Sequence, residues 1–305
     1  MADAPAGPAI ALLLPERRRF AGQAPSPAVA RLLGRADALP PAQAGERAQL
    51  QRWFELLPRG WPVAAITRQH DAGDAGLHAW LRADPAYVRP DMTGARVLAI
   101  GELGLTPAEA EALVQPLRPL FGDAGFPISA PVPSRWYLAL PVDARLPDFA
   151  PPEAVLGDDL FLHLPDGPEG RRWRALLNEA QVLLHNHPVN QTRVAAGKPP
   201  VNSLCFWGAG RLPDHVRARL RTVATDEPTL AALARLAQAN PGTGEGRLLD
   251  LRHLREWSAV EPRLVEALAQ AGEAGLMLDF ADGAGWWLRA GQRWRFWRRP
   301  LAALA

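Results

Sequence analysis

The residues best suited to chemistry lie in one stretch, Leu183 to Pro213, which reads LLHNHPVNQTRVAAGKPPVNSLCFWGAGRLP. Arginine can bind a carboxylate or phosphate through two parallel hydrogen bonds, and asparagine offers both a donor and an acceptor. His187, Asn190, Arg193 and Asn202 therefore predict a site for a small anion. Arg193 is the expected principal contact.

The elements that must position these side chains can be predicted from the same stretch. Apolar spacing favours a helix over residues 178–196, which Pro188 must kink or interrupt. Gly197 and the following prolines end it, and Val201 to Trp207 is predicted to be a short buried strand. We expect Gly208 to Gly210 to form a tight turn that converges on Asn190, Arg193 and Asn202. A helix-to-strand connection whose asparagines only cap element ends stays open as the alternative.

Helices and strands alternate along the rest of the chain, which predicts the α/β class with a mostly parallel sheet flanked by helices. The all-apolar run from Ala9 to Leu14 predicts a buried first strand, and Thr106-Pro107 begins a capped helix within an α+β unit. Further predicted strands are 63–67, 96–100, 136–140, 247–251, 276–280 and 285–288. Further predicted helices are 26–39, 42–57, 214–222, 229–238 and 262–271, with a break at 240–246.

The sequence contains only weak candidates for a metal site or a catalytic nucleophile. Asp74 and His78 have the spacing of a helical ligand pair, but a capped helix start explains them better because a full site needs three or four ligands. Cys205 lies within the predicted strand, so it is expected to be a small buried hydrophobe rather than a nucleophile. The sequence has no phosphate-binding P-loop and no G-x-S-x-G elbow. We therefore predict neither a metal nor another cofactor.

The C-terminal region combines aromatic and basic residues. Trp286, Trp287, Trp294, Phe296 and Trp297 alternate with arginines. We expect residues 292–299 to complete a sheet edge, with the rings packed inward and arginines over them. The alternatives are a protein-binding patch and, less favoured, a single-stranded nucleic-acid site.

Composition sets the remaining limits. The 305 residues carry a formal net charge of +2, too small for binding nucleic acid by bulk attraction. The single cysteine excludes intrachain disulfides. The sequence contains neither a convincing signal peptide nor a segment long enough to cross a membrane. We therefore expect a soluble cytoplasmic protein.

The central stretch resembles a segment of archaeal-type cofactor-independent phosphoglycerate mutases, members of the alkaline-phosphatase superfamily. The chain as a whole resembles the RpfE-type regulatory proteins of proteobacteria. The positions that carry the main resemblance are His187, Pro188, Asn190, Arg193, Gly197, Pro200, Asn202, Trp207, Gly208 and Gly210. A weaker likeness extends upstream to Asp84 and includes Arg135.

The resemblance implies an α/β domain, residues 1–82 and 175–305, with an inserted α+β subdomain and hinge loop at 83–174. It also implies a ligand site made of Arg135, His187, Asn190, Arg193, Asn202, Trp207, Gly208 and Gly210. In the metal-dependent superfamily members the first strand ends in a metal-binding aspartate, whereas Pro15 and Glu16 stand there in this sequence.

Two functional hypotheses follow. The first is a catalytically degenerate relative that binds a small phosphorylated or carboxylate ligand and acts as a regulator. The second is an active mutase or phosphatase with an unrecognised metal site.

Overall fold

The computed structural model describes residues 7–92, 94–141, 143–238 and 246–304. The chain forms two compact units, a terminal unit made of residues 1–59 with 214–305 and a central unit made of residues 60–213. These boundaries differ from those expected at 82/83 and 174/175. The reason is strand pairing, because residues 79–86 pair with residues 203–211 and thereby hold both flanks of the expected insertion in the central unit.

The strands of the described residues are β1 (Ile10–Leu14), β2 (Asp37–Ala38), β3 (Phe54–Leu57), β4 (Ala79–Pro90), β5 (Ala95–Ile100), β6 (Ile128–Val132), β7 (Arg135–Leu140), β8 (Ser203–Arg211), β9 (His215–Ala218), β10 (Thr222–Ala224), β11 (Arg247–Asp250), β12 (Leu276–Phe280) and β13 (Gly285–Leu288). The α-helices are α1 (Pro27–Arg35), α2 (Glu46–Gln51), α3 (Val63–Asp71), α4 (Pro107–Val114), α5 (Leu117–Asp123), α6 (Pro152–Val155), α7 (Gly167–His185), α8 (Pro188–Ala195), α9 (Pro228–Leu236) and α10 (Trp257–Gln270). Three short 3₁₀ helices span Arg17–Phe20, Leu160–His163 and Ala290–Trp294.

The terminal unit is built on a six-stranded sheet in the order β10-β11-β1-β12-β13-β2. The first four strands in this order are mutually parallel, β13 pairs antiparallel with β12, and β2 pairs antiparallel with β13. Every residue of β1 is buried, as expected for an apolar strand covered on both faces. Residues of α1 and α10 pack against β1 and β12 in one hydrophobic core. The predicted α/β class with a mostly parallel sheet flanked by helices is confirmed.

The central unit contains an antiparallel sheet organised around β4. β8 pairs along one side of β4, whereas β7 and β5 pair with successive parts of its other side, and β6 continues from β7. A core of buried residues from α4, α5 and α7 packs against this sheet. Thr106 forms the predicted capping box with Glu109 at the start of α4.

Several element predictions are wrong. Residues 63–67 begin α3 rather than a strand. All five are buried, because this turn of the helix is covered on all sides and packs against β8. Residues 215–218 form β9, which pairs antiparallel with β3, rather than a helix. The single helix expected over 42–57 is divided into α2 and β3. Most of the break expected at 240–246 lies outside the described residues.

The predicted sheet edge at 292–299 is also wrong. The segment forms a 3₁₀ turn and an irregular end instead, because its arginines and Gln292 bind Asp37 and the end of α1. β2, not the tail, is the strand beyond β13. In the parts of the chain that the structure describes, no helix is long and apolar enough to span a bilayer.

Candidate functional site

Asn190 joins two elements of the central unit. Its Nδ2 donates to the carbonyls of Leu184 and Val201, and its Oδ1 accepts from the Val201 amide at 2.8 Å. The side chain is 4% exposed, so its amide group is fully used in fastening the end of α7 to the segment before β8. His187 caps α8 by accepting from the Val189 amide, and Pro188 begins that helix.

Arg193 is buried, with a relative exposure of 1%. Its Nη2 donates to the Leu103 carbonyl at 2.6 Å, and its Nε donates to the Pro199 carbonyl at 3.0 Å. Its Nη1 donates to Glu109 at 3.1 Å, so the guanidinium ties α8 to the start of α4. These contacts leave no open side of the guanidinium for an external anion.

Asn202 completes a strand pairing. Its Oδ1 accepts from the Val88 amide at 2.8 Å, and its Nδ2 donates to the Val88 carbonyl at 2.7 Å. The side chain therefore replaces a backbone partner for β4 just before β8 begins. Asn190 and Asn202 thus act as connectors between elements, which corresponds to the alternative interpretation of the motif.

Gly208 and Gly210 lie inside β8 rather than in a turn, at φ of +69° and +149°. A Cβ at Gly210 would come within 2.6 Å of the Pro62 Cβ, and one at Gly208 within 3.2 Å of the Val63 Cβ. The two glycines therefore let β8 approach the start of α3 closely. They lie at the opposite end of β8 from Asn202, so the predicted convergence with the asparagines does not form.

Trp207 and Arg135 belong to a different group, which we call the charge ladder. It consists of Arg68, Asp71, Asp74, Trp80, Arg82, Asp84, Arg135, Tyr137 and Trp207. One row across the sheet consists of Tyr137, Arg82 and Trp207, which are direct cross-strand partners. The Arg82 guanidinium lies 5.3 Å from the Tyr137 ring centre and 5.1 Å from that of Trp207. Arg68 from α3 lies 4.4 Å from the ring of Trp80 and 5.5 Å from that of Tyr137. Cations and rings thus alternate from Trp80 to Trp207.

Each arginine of the charge ladder has a bidentate carboxylate partner. Arg82 binds Asp84 through two contacts of 2.8 Å, and Trp207 donates to the same carboxylate at 2.7 Å. The second pair is Arg135 with Asp71, and the third is Arg68 with Asp74. Three cations therefore face three anions. Such pairing is what burial requires for Asp84 and Asp71, whereas the Asp74 side chain is 55% exposed.

The carboxylates of the ladder differ in environment. Burial raises the pKa of Asp84 above its usual value, although Arg82 and Trp207 oppose this effect. Burial also acts to raise the pKa of Asp71, but hydrogen bonds from Arg135 and Tyr137 outweigh it and the pKa is lowered. Sequence reasoning missed this group. Its only signal was the alternation of Trp80, Arg82 and Asp84 along one strand, which also fits a solvent-facing side.

A second polar group lies at the carboxyl edge of the parallel sheet, where α/β proteins place ligands. The register aligns Leu13 of β1 with Asp250 of β11 on one side and Asp279 of β12 on the other. Each aspartate binds an arginine, since Asp250 pairs with Arg252 at 2.7 Å and Asp279 with Arg52 at 2.6 Å. The central strand contributes only apolar side chains between them.

Arg252 is the centre of this edge. It lies 2.7 Å from Asp250, 3.4 Å from Glu227 and 3.6 Å from Glu46, and its side chain is 7% exposed. Burial acts to lower the pKa of this guanidinium, but Asp250 and the two glutamates raise it, so Arg252 stays charged. Just beyond the end of β12, Asp282 binds Arg17 at 2.7 Å. Arginine therefore neutralises the aspartates of this edge.

The resemblance to the mutases implies two divalent cations, and the donor set at this edge does not fit them. Divalent cations need several carboxylates or imidazoles that are free to coordinate. Asp250, Asp279 and Asp282 are each held by a guanidinium, and the carboxylates around Arg252 are kept apart by it. Over the described ranges, no group of three His, Cys, Asp or Glu side chains has a metal-binding arrangement.

Comparison with known proteins gives local matches. No family model matches the chain. A probable 2,3-bisphosphoglycerate-independent phosphoglycerate mutase of Geobacter sulfurreducens is 40% identical over 63 residues, 21% of this chain and 16% of that protein. The Methanosarcina mazei 2,3-bisphosphoglycerate-independent phosphoglycerate mutase matches to the same extent. The match therefore spans about a sixth of the length of these relatives.

A cofactor-independent phosphoglycerate mutase structure from Thermoplasma acidophilum aligns with 92% of this chain and 89% of its own, at 16% identity and a TM-score of 0.40. The chain thus contains a segment similar to cofactor-independent phosphoglycerate mutases, on a mixed α/β fold of two units.

Proposed function

We propose that this chain is a catalytically degenerate relative of the cofactor-independent phosphoglycerate mutases that works in the cytoplasm as a regulatory or ligand-binding protein. The observation that carries the proposal is the neutralisation of Asp250, Asp279 and Asp282 by Arg252, Arg52 and Arg17.

Phosphoryl transfer by the metal-dependent members of the alkaline-phosphatase superfamily requires cations that stabilise negative charge as it shifts from one oxygen to another during the reaction. Two cations clamp the attacking and leaving oxygens and stabilise the charge that develops between them. A guanidinium fixed among its own carboxylates can balance their charge, but it cannot activate a nucleophile as a Lewis acid does. The carboxylates of this edge are therefore used in folding rather than in holding a catalytic metal.

A small phosphorylated or carboxylate ligand is the proposed binding partner. The hydrogen-bonding groups of Asn190, Arg193 and Asn202 bind the protein itself. More accessible cationic side chains are therefore better candidates for binding such a ligand. In the terminal unit, a groove of about 470 Å³ lies between α10 and the β10–β11 side of the sheet. Arg263 and His253 are exposed in this groove, which is also lined by Arg247 and by the carboxylates of Asp226, Asp250 and Glu266.

The second candidate is an active mutase or phosphatase, which the names of the relatives favour. One set of measurements separates the two candidates. The purified protein is assayed for interconversion of 2- and 3-phosphoglycerate and for hydrolysis of p-nitrophenyl phosphate, with and without Mn²⁺, Mg²⁺, Zn²⁺ and Co²⁺.

We expect no metal-dependent turnover and no tightly held metal pair by elemental analysis. Turnover that a chelator abolishes and a metal restores would overturn the proposal. Calorimetry with 3-phosphoglycerate as the probe tests the binding role, with Arg263→Ala as the variant and Arg235→Ala of α9 as the matched control. A heat of binding lost only in Arg263→Ala supports the groove. Equal binding by both variants removes it as the site.

A further inference from the structure

The exposed Phe and Trp side chains of the described residues occur in only two segments. One contains Trp294, Phe296 and Trp297, which are 65%, 77% and 69% exposed. The other contains Phe161, 61% exposed, followed by Leu162 at 73%. Rings this exposed are unusual for a surface that stays in water, and contiguous apolar patches mark interaction sites.

The first segment, which we call the aromatic tail, covers residues 286–299. It contains five arginines and no acidic residue. The second, which we call the acidic segment, covers residues 143–169 and contains seven acidic residues and one arginine. The two segments are therefore complementary in charge, and both expose apolar side chains.

The aromatic tail is held in place by its polar side chains. Gln292 and Arg289 donate to Asp37 at 3.0 and 2.6 Å, and Arg295 also binds Asp37. Arg298 donates to the Ala36 carbonyl at 2.7 Å. Arg289, Arg295 and Arg298 thus bind the protein while the rings are exposed, so the rings are preorganised for a partner.

Among the contacts of the described residues, only two arginines of the tail have a side chain without a hydrogen bond to the protein. Arg293 lies over the Trp294 ring at 5.0 Å, and the Arg299 side chain is exposed. Two free cations are too few for strong phosphate-driven binding of nucleic acid at physiological salt. They suit a protein contact, where tryptophan and arginine supply most of the binding energy.

The acidic segment has a place for an aromatic ring. A groove of about 500 Å³ is lined by the apolar side chains of Leu160, Phe161, Leu164 and Leu177, with Asn178 and Gln181 on its rim. This volume lies within the range of pockets that bind small organic groups, so an indole can enter. Glu153 of the acidic segment is exposed, and the fully exposed Asp166 makes only a 3.7 Å contact with Arg174, so both carboxylates are accessible to the cations of a partner.

We infer that the aromatic tail of one copy of this chain binds the acidic segment of a second copy. In a two-fold dimer the contact is made twice. The exposed rings of Trp294, Phe296 and Trp297 offer roughly 400 Å² of apolar surface that a partner can bury. With a similar contribution from the acidic segment, each copy buries about 800 Å², the usual size of a stable interface.

The test is the mass of the intact protein in solution, measured by light scattering and sedimentation at low and at about 0.5 M salt. We expect twice the chain mass of 33.1 kDa at low salt and dissociation at high salt. A wild-type protein that stays monomeric at low salt and high concentration overturns the inference. So does a monomer that instead binds a thymidine oligonucleotide or phosphatidylglycerol vesicles through the tail.

Paired variants identify the contact. Phe296→Ser with Trp297→Ser, and separately Phe161→Ser with Leu162→Ser, should each weaken the dimer at least tenfold. A mixture of the two should form a heterodimer, because one contact remains intact. Val265→Ser, at an exposed apolar residue elsewhere, is the matched control and should leave the mass unchanged.

Charge reversal provides the second arm. Arg293→Glu with Arg299→Glu should dissociate the dimer, and Glu153→Arg with Asp166→Arg in the same chain should restore it. All these side chains are exposed, so the variants should keep the wild-type melting temperature. The inference is overturned if dimers persist in the tail variants. It is also overturned if the charge reversal at Glu153 and Asp166 does not restore association.

Discussion

Arginine serves different purposes in the charge ladder of the central unit and at the carboxyl edge of the terminal unit. In the ladder, Arg82 and Asp84 are 5% and 2% exposed, and the guanidinium lies between two rings. At the carboxyl edge, Arg252 is buried but two of its carboxylate partners, Glu46 and Glu227, have side chains that are 52% and 37% exposed.

This difference in the exposure of the carboxylates determines whether they reach solvent when the arginine is substituted. Removing Arg82 would leave a charged or protonated Asp84 without solvent. Removing Arg252 would leave carboxylates that water or another cation can reach. The ladder is therefore expected to be a stability element, whereas substitution of Arg252 is expected to expose carboxylates that a divalent cation can bind.

The largest expected effect comes from breaking the ladder. Arg82→Met should cost about 3–5 kcal/mol of unfolding free energy, because it leaves the buried Asp84 carboxylate without its cationic partner. Urea denaturation measures it, and the double variant Arg82→Met with Asp84→Leu should recover part of the loss. Arg96→Met, at a side chain 55% exposed, is the control and should change stability by less than about 1 kcal/mol. A cost for Arg82→Met as small as the control's would show that the ladder is not stabilising.

The next effect tests the connector role of Arg193 in the central unit. Arg193→Met should cost about 2–3 kcal/mol, because the carbonyls of Leu103 and Pro199 lose their donors. Arg193→Lys should recover little of this, because an ammonium cannot reproduce the planar fork. Thermal denaturation measures both variants. Normal stability with lost 3-phosphoglycerate binding would instead return Arg193 to a ligand-binding role.

A moderate effect should appear at the carboxyl edge. In Arg252→Ala, the carboxylates of Asp250, Glu227 and Glu46 repel one another, so the melting temperature should fall. Millimolar Mn²⁺ or Ca²⁺ should restore it, and neither ion should stabilise the wild type or Arg252→Lys. If no divalent cation stabilises Arg252→Ala, the carboxylates around position 252 do not form a cation site.

The smallest effect concerns the attachment of the aromatic tail. Hydrogen bonds from Arg295 and Arg289 lower the pKa of Asp37 from 3.8 to about 2. The folded pKa is depressed, so this stabilisation is complete above about pH 4 and is lost as the pH falls through 2. Tryptophan fluorescence should report release of the tail in that window. Asp37→Asn should remove the transition, and its persistence in that variant would place the titrating group elsewhere.

Local sequence signals predicted some elements well. The Thr106 capping box and the buried β1 follow from interactions within a few residues, or from a run of apolar side chains. Residues 63–67 and 215–218 were assigned the wrong class because short apolar or mixed segments take the structure that their neighbours impose. The charge ladder could not be predicted, since Arg82 meets Tyr137 and Trp207 only after three strands pair.

The sequence by itself determined the α/β class, the interruption at Pro188 and the absence of an aspartate directly after the first strand. These depend on periodicity, on the missing amide of proline and on residue identity. Tertiary structure alone decided which polar side chains remain available. Asn190, Arg193 and Asn202 have the chemistry of a ligand site, but backbone groups more than ten residues away use their hydrogen bonds. Hydrogen-bonding capacity is finite, so the partners that folding brings near decide whether such a residue binds the protein itself or a ligand.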